Sequence, residues 1–275
     1  MSADVRVDHW VAFADGPGGG NPCPVVRGAD GWSDAEMQAA AAELGHETCF
    51  VLAPSGGADA VVRLRYFVPR HEMEMCVHAT VAASVALGLE DGAGVETPLG
   101  VRRVWRPSAG AALVEQFAPE VGPVVEDVDA VAAVLGGARP VAEVRSVSTA
   151  RAKLLVGLAD EATLDGLAPD FEALWTLCDL LGTTGIYAYT LNARDADVAA
   201  RQFPVRAGFD EDPATGVAAC ALGAWLAGAG DGWHRLRVAQ GRAMGRPSLI
   251  DAEALRADGA VVATRVGGEA APAAP

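Results

Sequence analysis

No stretch of this 275-residue chain is apolar for long enough to cross a bilayer. The longest apolar run, VAACALGAWLAGAG at 217–230, is short and glycine-rich, so no membrane span is expected. Basic residues are also scarce. Lys and Arg number 21 against 36 Asp and Glu, for a formal net charge of −15, and they never cluster. A nucleic-acid or anionic-membrane surface needs clustered cations, so both partners are excluded. There is no CxxC and no HExxH, so no metal motif is offered and no metal is expected. The five cysteines, at 23, 49, 76, 178 and 220, form no close pair and are odd in number. Reduced thiols in a cytoplasmic protein are the expectation. The first residues, MSADVRVDHWVAF, carry charges where a signal peptide needs an apolar core. DGPGGGNP (15–22) lacks the Lys-Ser/Thr ending of a phosphate loop and reads as a turn.

Half of the residues are hydrophobic, enough for a substantial core in one large domain or two smaller ones. Ser33 and Glu36 make a capping box before a helix that Gly45 stops. ETCFVL (47–52) and VVRLRYF (61–67) read as strands, and a helix is expected from His78 to about Leu89. APEVGPVVEDVD (118–129) reads as a linker, followed by a second set of strands and helices. That set includes strands at 185–191 and 199–206 and a helix at 215–228. The expected domains are 1–120 and 121–266, with 267–275 as a disordered tail.

Sliding the chain by 136 residues reveals an internal repeat. Arg65-Tyr66-Phe67 falls on Arg201-Gln202-Phe203, and Cys76 falls on Asp212. Val81-Ala82-Ala83-Ser84 falls on Val217-Ala218-Ala219-Cys220, and Glu47 falls on Thr183. The repeat implies two similar α+β halves facing one another across a cleft. In each half a loop ends at a helix start, where backbone amides lack internal partners and attract a carboxylate or an oxyanion. Gly216 would let such a ligand approach closely.

Several segments resemble, in order, the landmarks of the PhzF-like family. They are GNPCPVV (20–26), ETCFVL (47–52), RYFVPRHEMEMCVHAT (65–80), DEDPATGVAACAL (210–222) and QGRAMGRPSLI (240–250). This family comprises the phenazine-biosynthesis isomerases, within the diaminopimelate epimerase-like fold. The resemblance implies two pseudo-symmetric domains, each a curved, mostly antiparallel sheet around a central helix, and often a homodimer. It also implies proton transfer at carbon without a cofactor, on a small-molecule carboxylate. Carried over residue by residue, it makes Glu47 the acid/base, with His78 and Asp212 assisting. It places Asn21, Cys76, Val77, Thr215, Gly216 and Val217 around the substrate. Two positions depart from the family pattern. Val77 stands where glycine usually separates the cysteine from the histidine, and Val217 stands where phenazine isomerases have serine. Both add apolar bulk and put the phenazine precursor in doubt.

The resulting expectation is an isomerase that shifts a double bond by moving a proton on a conjugated amino- or imino-carboxylate, in antibiotic-type metabolism. Two alternatives stand beside it. One is an amino-acid racemase or epimerase using Cys76 and Asp212. The other is a binding or scaffold protein without turnover.

Overall fold

A computed structural model describes residues 5–57 and 59–273. The described chain divides into two compact units. The first takes the chain up to Ala14, Gly20–Glu115, and the chain from Gly267 onward. The second takes Asp15–Gly19 and Gln116–Val266.

The first unit begins with strands β1 (Arg6–Ala12) and β2 (Asn21–Arg27), helix α1 (Asp34–Leu44), and strands β3 (Thr48–Leu52), β4 (Val62–Phe67) and β5 (Glu72–Met73). Helix α2 (Val77–Ala86) and strands β6 (Ala93–Thr97), β7 (Gly100–Ser108) and β8 (Ala111–Gln116) follow. The strand order is β1-β2-β3-β4-β6-β7-β8, with β5 beside β4. The second unit carries β9 (Glu120–Val124), α3 (Val128–Val134), β10 (Arg145–Ser148), β11 (Lys153–Gly157), α4 (Glu161–Asp165) and α5 (Phe171–Leu181). It continues with β12 (Gly185–Thr190), β13 (Val198–Pro204), α6 (Gly216–Trp225), β14 (Gly232–Gln240), β15 (Ser248–Ala257) and the first part of β16 (Ala260–Pro272), which belongs to the first unit from Gly267 onward. Here the order is β9-β10-β11-β12-β13-β14-β15.

The fold is α+β, and the two units share one pattern of strand pairing. In the first, β1–β2 is antiparallel, β2–β3 parallel, β3–β4 antiparallel, β4–β6 parallel and β6–β7 antiparallel. In the second, β10–β11, β11–β12, β12–β13, β13–β14 and β14–β15 repeat that series in the same sense. Each sheet packs an almost wholly buried helix. α2 lies on β1, β2 and β3, and α6 on β10, β11, β14 and β15. Their sequences, VHATVAASVA and GVAACALGAW, are apolar and small on every side, as a helix enclosed all round must be.

The opposite faces of the sheets carry amphipathic helices. In the first unit Met37 and Ala41 of α1 pack with Phe50, Leu52 and Phe67. Ser33 and Glu36 close the capping box, and Gly45 ends α1 in the left-handed region at φ 70°. In the second, Val131, Leu164, Leu174 and Cys178 pack with Leu154, Ile186 and Phe203.

Three sequence expectations change. The linker at 118–129 contains β9. A short helix, α4, stands where none was expected. The tail is not without structure: β16 runs to Pro272, and Trp10, Val11 and Ala12 of β1 pair with Pro272, Ala271 and Ala270. Residues 274 and 275 of the expected tail lie outside the described residues.

Candidate active site

The parity of β3 and β4 builds the site in the first unit. Cys49 and Tyr66 are register partners, and the Tyr66 hydroxyl meets Thr80 Oγ1 of α2 at 2.7 Å. Their side chains therefore face the central helix. Glu47 lies two residues before Cys49 and shares its side of the strand. It meets the second residue of α2: Glu47 Oε2 lies 3.3 Å from His78 Nε2, with the two side chains 13% and 4% exposed. At this distance the carboxylate and the imidazole are within ion-pair range. Cys76 Sγ lies 3.3 Å from His78 Nδ1 and 3.8 Å from its Nε2.

Burial is the main cause that raises the Cys76 thiol well above its ordinary pKa, and the Glu47 carboxylate adds to it. The Ala79 amide opposes that shift. Cys76 is therefore a protonated thiol against the histidine and not a ready thiolate base. Asn21 is buried at the start of β2, paired with Ala12. Gly20 before it has φ 85°, and a Cβ there would meet Val11 Cγ1 at 2.4 Å.

The second unit assembles a different set. Asp212 is 7% exposed, and its Oδ2 accepts from Thr215 Oγ1 at 2.5 Å. Its Oδ1 accepts from the Ala214 amide at 3.5 Å, a turn made by the side chain just before α6. Gln240 ties this loop down. Its Nε2 donates to Asp212 O and Thr215 Oγ1, and its Oε1 accepts from the Thr215 amide and the Tyr187 hydroxyl. The N-cap of α6 is Thr215, not Asp212, and Gly216 and Val217 form the first helical turn. Burial, and then the charge of Asp212, push the Tyr187 phenol well up.

Helices α1, α3, α4 and α5 each have an N-cap Ser or Asp whose side chain accepts from the first turn. Neither α2 nor α6 does. Their first turns have no capping side-chain oxygen.

The register corrects the repeat. Tyr66 pairs with Met73 across β4 and β5, and Gln202 bridges Asp212 in the same antiparallel sense. Tyr66 and Gln202 are separated by 136 residues, but Met73 and Asp212 by 139. The N-caps Cys76 and Thr215 are also 139 apart. The twin of Cys76 is thus Thr215, and the twin of Asp212 is Met73. His78 corresponds to Val217. On the strands, Thr48 pairs with Phe67 and Ile186 with Phe203, so Glu47 corresponds to Gly185, not to Thr183.

Sequence reasoning passed over Gln240 and Gln202. Gln240 opens the QGRAMGRPSLI landmark, but its role comes from being opposite the 212–215 loop. Gln202 is 1% exposed, and both its Nε2 and Oε1 are buried without a hydrogen-bond partner among the described residues. It shares a sheet face with Tyr187, its register partner, and with Asp212, its bridge partner.

The comparisons with known proteins agree with this architecture. A family model described as phenazine biosynthesis-like protein matches residues 10–274. YddE, an uncharacterized isomerase of Escherichia coli (strain K12), is 34% identical, with 90% of this chain and 89% of that protein covered. Trans-2,3-dihydro-3-hydroxyanthranilate isomerase of Pseudomonas chlororaphis is 32% identical, with 90% of each chain covered. The crystal structure of a Bacillus anthracis phenazine biosynthesis protein of the PhzF family superposes with a TM-score of 0.86. It is 25% identical and covers 99% of this chain and 98% of that one. The paired α+β units, the Glu47–His78 contact at the start of α2 and the near full-length similarity converge: this chain belongs to the phenazine biosynthesis-like family, as an isomerase of the PhzF type.

Proposed function

We propose that the chain moves a proton between two carbons of a small conjugated amino- or imino-carboxylate, shifting a double bond, with Glu47 as the single acid/base. Glu47 takes a proton from carbon, and the electron pair spreads into the conjugated system. The protonated Glu47 then returns that proton at the other end of the system. His78 holds the Glu47 carboxyl in place and polarises the substrate. Asp212, with Thr215 and the Gly216 and Val217 amides of α6, binds the polar groups of the substrate, and Asn21 adds a further contact. Val77 and Val217 set its shape at the two helix starts. The proposal sets this reaction in antibiotic-type metabolism.

One observation carries this reading. The first unit has Glu47 against His78, and the second has Gly185 and Val217 at the corresponding positions. A one-base proton shift needs the pair once. A racemase built on the repeat needs a base on each side, and the racemase reading paired Cys76 with Asp212. Those residues are not twins, and the Cys76 thiol is held protonated. The racemase reading is correspondingly weaker.

The test incubates the protein with candidate conjugated amino- and imino-carboxylates in D2O and follows deuterium by NMR. Wild type is expected to exchange and isomerise one of them. Glu47→Gln is expected to lose about 100- to 10,000-fold in rate with its melting temperature kept. His78→Asn is expected to lose less. A fully active Glu47→Gln removes the acid/base role. Tight binding of every candidate without exchange favours a binding protein, and loss of an exchange activity on thiol alkylation favours the racemase.

A further inference from the structure

Glu47, Cys76 and His78 offer one carboxylate oxygen, one sulfur and one ring nitrogen within 4.8 Å of one another. We propose that they form a three-ligand site for a zinc-class dication, and that the ion inhibits the isomerase by occupying its acid/base. Binding of the ion does not depend on the proposed reaction; only the inhibition rests on that reading.

Two of the three ligand separations are close to those around a tetrahedral ion. Zinc bonds of about 2.3 Å to sulfur and about 2.0–2.1 Å to nitrogen and oxygen set ligand separations of about 3.5 Å for S···N and about 3.3 Å for N···O. His78 Nε2 lies 3.8 Å from Cys76 Sγ and 3.3 Å from Glu47 Oε2. Both edges are within a few tenths of an ångström of those values, and the third, sulfur to oxygen, is within 4.8 Å; Sγ now lies nearer Nδ1, at 3.3 Å, so the imidazole must turn to aim its Nε2 lone pair at the shared ion. Cys76 and His78 are 4% and 3% exposed at the start of α2, and Glu47 sits at the entrance to β3. The ligands are therefore held by two packed elements, and little ordering remains to oppose binding.

The donor set also selects the ion. A thiolate with an imidazole and a carboxylate suits zinc or cobalt, whereas magnesium and calcium prefer oxygen alone. Three protein ligands leave a fourth position open, for water or a substrate oxygen. The Ala79 amide faces the sulfur and would support a thiolate there. On binding, the Cys76 S–H bond breaks, sulfur donates its pair to the metal, and the proton passes to solvent. An ion held in this way takes the lone pair that Glu47 uses to accept a proton from carbon. The sequence carries no metal motif because Glu47 comes from a different element from the other two ligands.

Cobalt(II) titration of the purified protein tests the site, with far-ultraviolet circular dichroism as the check on folding. We expect saturation at one ion per chain, with intense tetrahedral visible bands, a sulfur-to-cobalt charge-transfer band in the near ultraviolet, and displacement by zinc. Cys76→Ser should lose the charge-transfer band while staying folded, and Glu47→Gln should weaken binding by about tenfold or more. Absence of a thiolate band, or a band that survives Cys76→Ser, overturns the site. Where a substrate exchanges deuterium, that exchange should fall in step with zinc occupancy and return with EDTA. Full occupancy with undiminished exchange overturns the inhibition. Failure of every substrate to exchange without metal counts against the proposed reaction and leaves the cobalt result standing on its own.

Discussion

Gln202 is the residue whose position is hardest to account for by packing alone. It lies 1% exposed on β13, and among the described residues both ends of its carboxamide are unpaired. A buried amide without partners costs about 1–3 kcal/mol. Its twin, Tyr66, is buried too but bonds to Thr80 Oγ1. Across the sheet, Gly185 makes room for it: a Cβ there would come within 2.5 Å of Gln202 Nε2. A position that keeps an unsatisfied amide, against a glycine that accommodates it, is more readily explained by a ligand than by stability. Gln202→Leu should therefore raise the stability of the free protein by about 1 kcal/mol, read as a higher urea midpoint. It should lower kcat/KM for the true substrate by about tenfold or more. Lower stability with unchanged turnover would place Gln202 among the structural residues. Glu47 and His78 were legible in the sequence because short motifs carried them. Gln202 was not, since its lack of partners is a property of the folded sheet.

At the scale of elements, one motif occurs in both units with different strength. Arg65 makes a two-point ion pair with Glu72 and lies over Phe67, and Arg201 makes one with Glu211 and lies over Phe203. The shared Arg-x-Phe spacing made the strand part of the repeat legible. The loop that follows is three residues longer in the second unit, since 136 on the strands becomes 139 at the helices. An ungapped slide cannot see this, because alanine-rich helices match one another in nearly any register. Hence Cys76 fell on Asp212 in the sequence and on Thr215 in the fold. Arg201 also donates to the carbonyls of Leu164, Asp165 and Leu167, tying β13 to the end of α4. Its pair is 11% and 13% exposed, against 20% and 34% for Arg65 and Glu72. Arg201→Ala should cost about 3 kcal/mol, as for a buried pair, and Arg65→Ala about 1 kcal/mol, as for a screened one. Urea unfolding of the two variants checks the order. Equal losses would mean that burial does not set the difference. Glu211 adjoins Asp212, so Arg201→Ala should also reduce turnover.

At the scale of the molecule, the two-unit α+β plan was legible from ordered motifs and the repeat, and the final strand was not. The segment from Gly267 looks like a tail because glycine, alanine and proline carry no side-chain signal. What holds it is backbone: Ala270 N–H donates to Gly110 O and Phe13 N–H to Glu269 O. A Cβ at Gly267 would lie 1.8 Å from Ala112 O, so glycine is required by the close approach of two chains. The interior that results encloses ionisable groups, and this gives stability a pH dependence. Burial raises the pKa of Cys23, Cys49, Cys76, Tyr66 and Tyr187, and moves Cys220 to about 11. In the unfolded chain thiols lose their protons near pH 8.5 and phenols near pH 10. Above about pH 8.5 the unfolded state therefore binds fewer protons than the native state, and stability falls as pH rises. Each thiol contributes a slope of up to about 1.4 kcal/mol per pH unit between its unfolded and folded values, and the phenols join above about pH 10. Below about pH 8 these groups are protonated in both states and contribute nothing. Urea unfolding followed from pH 7 to pH 10.5 should thus show a flat midpoint up to about pH 8 and a steepening decline beyond it. Cys220→Ala, which removes one of the thiols, should decline less steeply. A midpoint unchanged at pH 10 would show that the thiols ionise as freely in the fold as in the unfolded chain.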